Sequence, residues 1–146
     1  MSSEPLDSAT EWVAEHTRRY VESGGEDGYM WRGYPTIVLT TTGRTSGQLR
    51  RNALIFGRDD DDYILVASYG GRPEHPLWYR NLTADSSVTI QDRAEVVQGV
   101  AETEPEGPGR DQLWDMMVAI YPPYEEYQAK TARRIPVVRV RPVAAP

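Results

Sequence analysis

A chain of 146 residues with 39% hydrophobic and 26% charged residues can bury one core, is too short for two ordinary domains, and has no apolar run near the roughly 20 residues that cross a bilayer. The absence of cysteine excludes disulfides, a thiol nucleophile and a thiolate metal site, and two histidines exclude a histidine-rich metal site. A net charge of −6 argues against a nucleic-acid partner, and the opening MSSEPLDSAT lacks the basic stretch and apolar core of a secretory signal, so the cytoplasm is the expected compartment.

In chain order, Ser8 and Glu11 form a capping box, and Ala9, Trp12, Val13, His16 and Tyr20 recur at helical spacing until SGG stops the helix. This amphipathic helix displays Trp12, Val13 and Tyr20, but its surroundings hold more acids than Arg18 and Arg19 balance, so at most a weak, transient contact with a membrane surface is expected. Residues 1–34 are this helix and a lead-in. Residues 35–146 are one β-rich unit, and the two parts form a single domain.

From Pro35 the pattern becomes strands. TIVLTTT, LRRNALIFG and YILVAS, separated by GRTSGQ and RDDDD, predict two successive hairpins. HPLWYRNL reads as a short helical turn, and SVTIQ with AEVVQGVA as a further strand pair. A helix follows from about Arg110 to Ile120, with Leu113, Met117 and Ile120 on one side, then the proline break YPPY and a helical stretch to about Lys130. The last strand is IPVVRV, whose Pro136 suits an edge or a bulge. About six antiparallel strands interrupted by short helices make the fold mainly β with short helices (α+β), a closed or split β-barrel.

Charge is segregated along this map. Between Gly28 and Arg58 lie Arg32, Arg44, Arg50, Arg51 and Arg58 and no Asp or Glu. A solvated basic face balanced by Asp59 to Asp62 would account for that, and a small anionic ligand accounts for it better. The first hairpin tip carries Gly43 and Gly47, which allow unusual backbone angles, and the hydroxyls of Thr45 and Ser46, with Arg44 and Arg50 on either side. Free turn amides and guanidinium forks are what a phosphate requires. The motif has no Walker lysine and no strand-to-helix glycine fingerprint.

The chain has nine Tyr and one Phe. Tyr121, Tyr124 and Tyr127, at i, i+3 and i+6, would fan over one face of a helix. Such a stripe packs a core or walls a pocket, and each buried phenol needs a partner, which favours a pocket that orients a polar ligand. His75 reads as a structural histidine, since no Ser or carboxylate is spaced to form a triad with it. Trp78 reads as a packing residue, and Asp59 to Asp62 as a solvated hairpin turn rather than a calcium loop.

LTTTGRTSGQLRRN, ILVASYGG, HPLWYRNL, YPPYEEYQ and RRIPVVRVRP, in this order, closely resemble the deazaflavin (F420)-dependent nitroreductase family, with its actinobacterial F420-dependent quinone reductase-like proteins. The resemblance spans about Pro35 to Pro142. It implies a split β-barrel of the FMN-binding type and coenzyme F420 as cofactor. It also implies hydride transfer to a small-molecule acceptor: quinones, conjugated enones or lactones, or nitroaromatics. Carried over by position, it implies that Arg44, Thr45, Ser46, Gly47 and Arg50 hold the phosphate-bearing tail and that Asn52, Ala53, Tyr69, Gly70 and Gly71 line the cofactor. Ser68 lies near the reacting face with Tyr124 and Tyr127 as catalytic candidates, and Tyr121, Tyr69 and Trp78 stand on the substrate side. Thr45 and Tyr69 depart from the family pattern, in which lysines are common at both positions. An FMN-dependent enzyme of the pyridoxamine-phosphate-oxidase type and a non-catalytic F420 carrier are the alternatives, and the sequence leaves monomer and homodimer open.

Overall fold

The computed structural model describes residues 6–7 and 11–143, with side chains from residue 14 onward. Ser8 and Ala9 of the expected cap lie outside the described residues, as do the side chains of Trp12 and Val13. The strands are β1 (Leu6–Asp7), β2 (Met30–Trp31), β3 (Tyr34–Thr42), β4 (Leu49–Ile55), β5 (Gly57–Asp59), β6 (Asp62–Val66), β7 (Ser87–Asp92), β8 (Glu95–Thr103) and β9 (Val137–Pro142). The helices are α1 (Glu11–Ser23), α2 (Leu77–Ala84), α3 (Pro108–Ile120) and α4 (Pro123–Ala129), and a 3-10 turn spans Tyr69–Gly71. No helix among the described residues is long and apolar enough to cross a membrane, which says nothing of strands.

The ladder runs β1-β4-β3-β7-β8-β9-β6-β5, with β2 paired to the start of β3. All pairings are antiparallel except that of β1 with β4. Both expected hairpins form, but they are not neighbours. The predicted strand LRRNALIFG is cut at Phe56: β4 pairs with β3, whereas β5 pairs with β6 at the far end of the ladder. Phe56 turns inward, 5% exposed, with ring centroids 6.3 Å from Tyr29 and 5.7 Å from Tyr63. Residues adjacent in sequence therefore lie far apart along the ladder, β5 at one end and β4 one strand in from the other, and the sheet must curl into a split β-barrel to join them.

Strand alternation divides the apolar residues into two cores. Tyr63 and Leu65 of β6 join Ile37, Leu39, Val88, Ile90, Val138 and Val140 inside the barrel. Ile64 and Val66 point the other way and pack with Leu113, Met117, Tyr124, Ile135 and Val137 beneath α3 and α4. Both faces of β6 are buried, so it reads as a continuous apolar run.

Three expectations need correcting. The final strand is central, between β8 and β9's other neighbour β6, and Pro136 sits just before it, where its carbonyl accepts the Ala67 N–H at 3.0 Å. Asp59 and Asp62 are not merely solvated: both bind the Arg139 guanidinium, at 2.8 and 2.7 Å, and Glu104 joins them on the same side chain. Tyr20 is fully buried rather than displayed, because its hydroxyl donates to the Thr36 carbonyl at 2.9 Å and accepts the Arg93 N–H at 2.6 Å. The two-residue strands β1 and β2 lie below the length at which periodicity can be read.

Tyr20 thus fastens α1 to the barrel. Tyr20→Phe removes both bonds, one of them buried, and should cost about 1–3 kcal/mol in urea unfolding. The pH dependence has a defined sign. The Tyr20 and Tyr63 phenols are pushed up to about 12, first by burial, while an unfolded tyrosine ionises near 10. Stability from these groups is complete below about pH 10 and is lost as pH rises through 12. Melting temperature should fall in that window, and less steeply in Tyr20→Phe.

Candidate active site

The turn joining β3 to β4 is built from its own hydrogen bonds and one long-range contact. The Gly43 N–H donates to the Gln48 carbonyl and the Gly47 N–H to the Gly43 carbonyl, both at 2.8 Å, and Ser46 Oγ accepts the Gln48 N–H at 3.1 Å. Gly47 has φ +71°, and a Cβ on Gly43 would lie 2.8 Å from Ser46 Oγ, so both glycines are required by geometry. The long-range contact comes from Asn81 on α2, which is buried: its Oδ1 accepts the Arg44 N–H at 3.2 Å and its Nδ2 donates to Thr41 Oγ1 at 3.4 Å. The Thr45 and Ser46 amides are left without an intramolecular acceptor among the described residues. Arg44 and Arg50 have no carboxylate partner there either.

This turn forms one end of a cleft of about 1080 Å³. The cleft is the split in the barrel. Its floor is β4, whose residues from Arg50 to Ile55 are half-exposed, and Val66 and Ser68 also line it. Arg32, Arg44, Arg50 and Arg72 line it, and among the described residues no Asp or Glu does.

The wall beyond Ser68 is irregular. Tyr69, Gly70 and Gly71 all have left-handed φ, at +47°, +63° and +80°. Tyr69 is 40% exposed, with the Arg72 guanidinium 4.5 Å above its ring and donating to its hydroxyl at 3.0 Å. A cation therefore stands beside Tyr69, where the resemblance leads one to expect a lysine. Gly71 lies behind the wall, buried on α4, where a Cβ would sit 2.6 Å from the Tyr127 carbonyl oxygen.

The tyrosines close the other end. They do not share one helix: Tyr121 caps α3, the chain breaks at Pro122 and Pro123, and Tyr124 and Tyr127 lie on α4. The break brings them together nonetheless. The Tyr121 and Tyr124 rings meet edge-on at 4.9 Å, and the Tyr121 and Tyr127 hydroxyls are 3.2 Å apart. Tyr34 packs edge-on against Tyr121 at 4.8 Å, and Trp31 lies 6.3 Å from it. Tyr124 lines the cleft although it is only 5% exposed, and its hydroxyl bonds no described residue.

Burial raises the Tyr121 phenol to about 12, helped by the hydrogen bond with Tyr127, and pushes Tyr124 up further. At neutral pH these groups are protonated donors, not bases.

Of the residues singled out from sequence, Arg44, Thr45, Ser46, Arg50, Asn52, Ala53, Ser68, Tyr69, Gly70, Trp78, Tyr121, Tyr124 and Tyr127 line this one cleft. Gly47 is at the exposed tip and Gly71 behind the wall, so neither is on its surface. Trp78 both packs in the barrel core and reaches the cleft. Asn81, Trp31 and Arg72 were missed, and Arg32 was read only as a member of the acid-free arginine span. Asn81 and Arg72 sit in segments that read only as helix and loop, and nothing local marks either.

The unpaired arginines and open amides suit an anionic tail, and the phenol-lined end suits a polar aromatic acceptor, so the residues present fit a phosphate-bearing deazaflavin. A family model for F420H(2)-dependent quinone reductase matches residues 12–142. An F420H(2)-dependent quinone reductase of Mycobacterium tuberculosis is 36% identical over 126 residues, covering 84% of this chain and 85% of the relative. A solved F420-H2 dependent reductase, FDR-A, is 42% identical with a TM-score of 0.68, covering 73% of this chain and 94% of that one. A solved domain-swapped dimer is also 42% identical, with a TM-score of 0.70, covering 92% of this chain and all of that one. The chain belongs to the F420H(2)-dependent quinone reductase family, an oxidoreductase with F420 as its hydride donor.

Proposed function

We propose that this protein reduces small quinones, conjugated enones or lactones, and nitroaromatics in the split of its barrel, working in the cytoplasm. One observation carries the reading: a single cleft joins an acid-free, arginine-lined end to a phenol-lined end. Arg44 and Arg50, with the Thr45 and Ser46 amides, hold the anionic tail of the cofactor. Asn52, Ala53 and Gly70 present little bulk along the wall between.

F420H2, when bound, supplies the hydride as a two-electron donor. Quinone reduction to hydroquinone then needs one proton and stabilisation of the oxyanion that develops. The Tyr124 hydroxyl, which bonds no described residue, and the Tyr121 hydroxyl are protonated donors that can serve an acceptor oxygen there, with the Tyr127 hydroxyl hydrogen-bonded to Tyr121 and Ser68 lining the same cleft. The Trp31, Tyr34 and Tyr121 rings exclude water from that end.

Titration with F420 and with FMN, then addition of menadione to the reduced complex, tests the reading. F420 binding with menadione turnover is expected. FMN binding in place of F420 would indicate an FMN enzyme, and F420 binding without turnover a carrier.

Arg50→Ala should weaken F420 binding by about 1.5–3 kcal/mol, the range for a hydrogen bond to a charged group, with the melting temperature little changed because Arg50 has no ion pair among the described residues. A calorimetric titration beside a melting curve checks both halves.

Tyr127→Phe and Tyr124→Phe should each lower kcat/KM for menadione roughly tenfold or more, with F420 affinity nearly intact. Tyr124→Phe breaks no protein hydrogen bond, so its melting temperature should hold. Full activity in both variants would remove the phenols from the chemistry.

A further inference from the structure

Arg133 lies in the connection between α4 and β9, does not line the cleft, and forms no ion pair among the described residues. Its guanidinium is nonetheless used almost completely. Nε donates to the Arg72 carbonyl at 3.1 Å, Nη1 to the Ala67 carbonyl at 3.1 Å, and Nη2 to the Ser68 carbonyl at 2.8 Å. Nη1 also lies 2.9 Å from His75 Nδ1. The backbone behind this fork is itself held: the Arg133 N–H donates to Thr131 Oγ1, and Gln128 on α4 bonds both the Arg133 carbonyl and the Ile135 N–H.

Every backbone acceptor of the fork belongs to the short segment that forms the irregular wall of the cleft. Inside that segment two backbone hydrogen bonds maintain the turn, Gly71 N–H to the Ser68 carbonyl and Arg72 N–H to the Tyr69 carbonyl, and the Arg72 guanidinium adds its bond to the Tyr69 hydroxyl. Tyr69 carries a side chain at φ +47°, a conformation that persists only where surrounding structure imposes it. The guanidinium supplies that imposition from behind, and because it is charged, its bonds to the carbonyls are stronger than neutral ones. The Ser68 side chain makes no capping bond to the turn and is left for the cleft.

We propose that Arg133 is a positioning residue for the reaction: its fork, completed by His75, holds residues 67–72 in the left-handed turn that presents Ser68, Tyr69 and Gly70 to the cleft. The proposal rests on the reading that this wall faces the reacting pair. His75 makes the clamp sensitive to acid. A guanidinium can only donate, so His75 Nδ1 must accept, which requires a neutral ring with its proton on Nε2. The ring is packed against Tyr79 at 4.8 Å, and burial, then Arg133 and then Arg80, hold its pKa below the ordinary histidine value. Glu74, its sequence neighbour, is the carboxylate acting on Arg133. Once protonated, His75 loses the bond and places a second cation beside Arg133.

Arg133→Lys tests the clamp, because an ammonium keeps the charge but cannot span acceptors spread over residues 67–75. In ligand-free protein, hydrogen exchange at the Gly71 and Arg72 amides should become about tenfold faster or more, and with F420H2 and menadione kcat should fall roughly tenfold, while F420 affinity changes less than about threefold. Unchanged exchange, or a lower melting temperature with normal turnover of the folded fraction, overturns the proposal. If Arg133→Lys does not fold, His75→Gln decides, since it keeps an acceptor that cannot titrate: the ratio of turnover at about pH 5.5 to that at about 7.5 should rise above the wild-type ratio. Identical ratios overturn the proposal. If the wild-type protein reduces no acceptor, the functional reading fails, and the exchange measurement still decides whether Arg133 holds the turn.

Discussion

The bend at Phe56 is the constraint on which the rest of the structure depends. β4 and β5 are one run of chain, yet β5 ends the hydrogen-bonded ladder while β4 stands one strand in from its other end, so the sheet has to curl until the two strands are a single residue apart. Burial of the Phe56 ring among Tyr29, Tyr63 and the barrel interior favours that bend. The curl does not zip β4 to β6, and the unpaired interval between them is the cleft. Fold closure and the active-site opening are thus consequences of the same turn, and the half-exposed burial of β4 records it.

The two irregular walls of the cleft follow a common plan. The 43–48 turn and the 67–72 segment each contain left-handed residues, and each is held from behind by one polar side chain reaching across the fold, Asn81 for the first and Arg133 for the second. Irregular backbone can approach a ligand closely and offer its amides, but its own few hydrogen bonds leave it loose. A distant side chain that occupies its carbonyls or amides restores rigidity without filling the site.

Charge is arranged with the same economy. Acids near the hairpins are taken up by Arg139, which binds Asp59, Asp62 and Glu104, and Asp92 is held by Tyr63 and Arg93. Among the described residues nothing comparable is supplied to Arg44 or Arg50. Their positive charge is therefore available in a protein whose net charge is negative.

Most of the elements were legible in the sequence because they rest on local chemistry. Strand alternation, the glycines of the first hairpin, the acid-free arginine span and the proline break before Tyr124 all act within a few residues of where they are read. The resemblance to F420-dependent reductases was legible for the same reason, being carried by short contiguous strings. What only the tertiary structure decided are matters of long-range pairing. LRRNALIFG reads as one strand because nothing local says that its two halves bond to different partners, and the three tyrosines read as one helical fan although they converge from two helices. Asn81, Arg72 and Arg133 sit in unremarkable segments and acquire roles only from groups far along the chain, such as Arg133 from the carbonyls of Ala67 and Ser68. A side chain's hydrogen-bond partners are fixed by which backbone the closed barrel brings against it, and that closure is a property of the whole sheet.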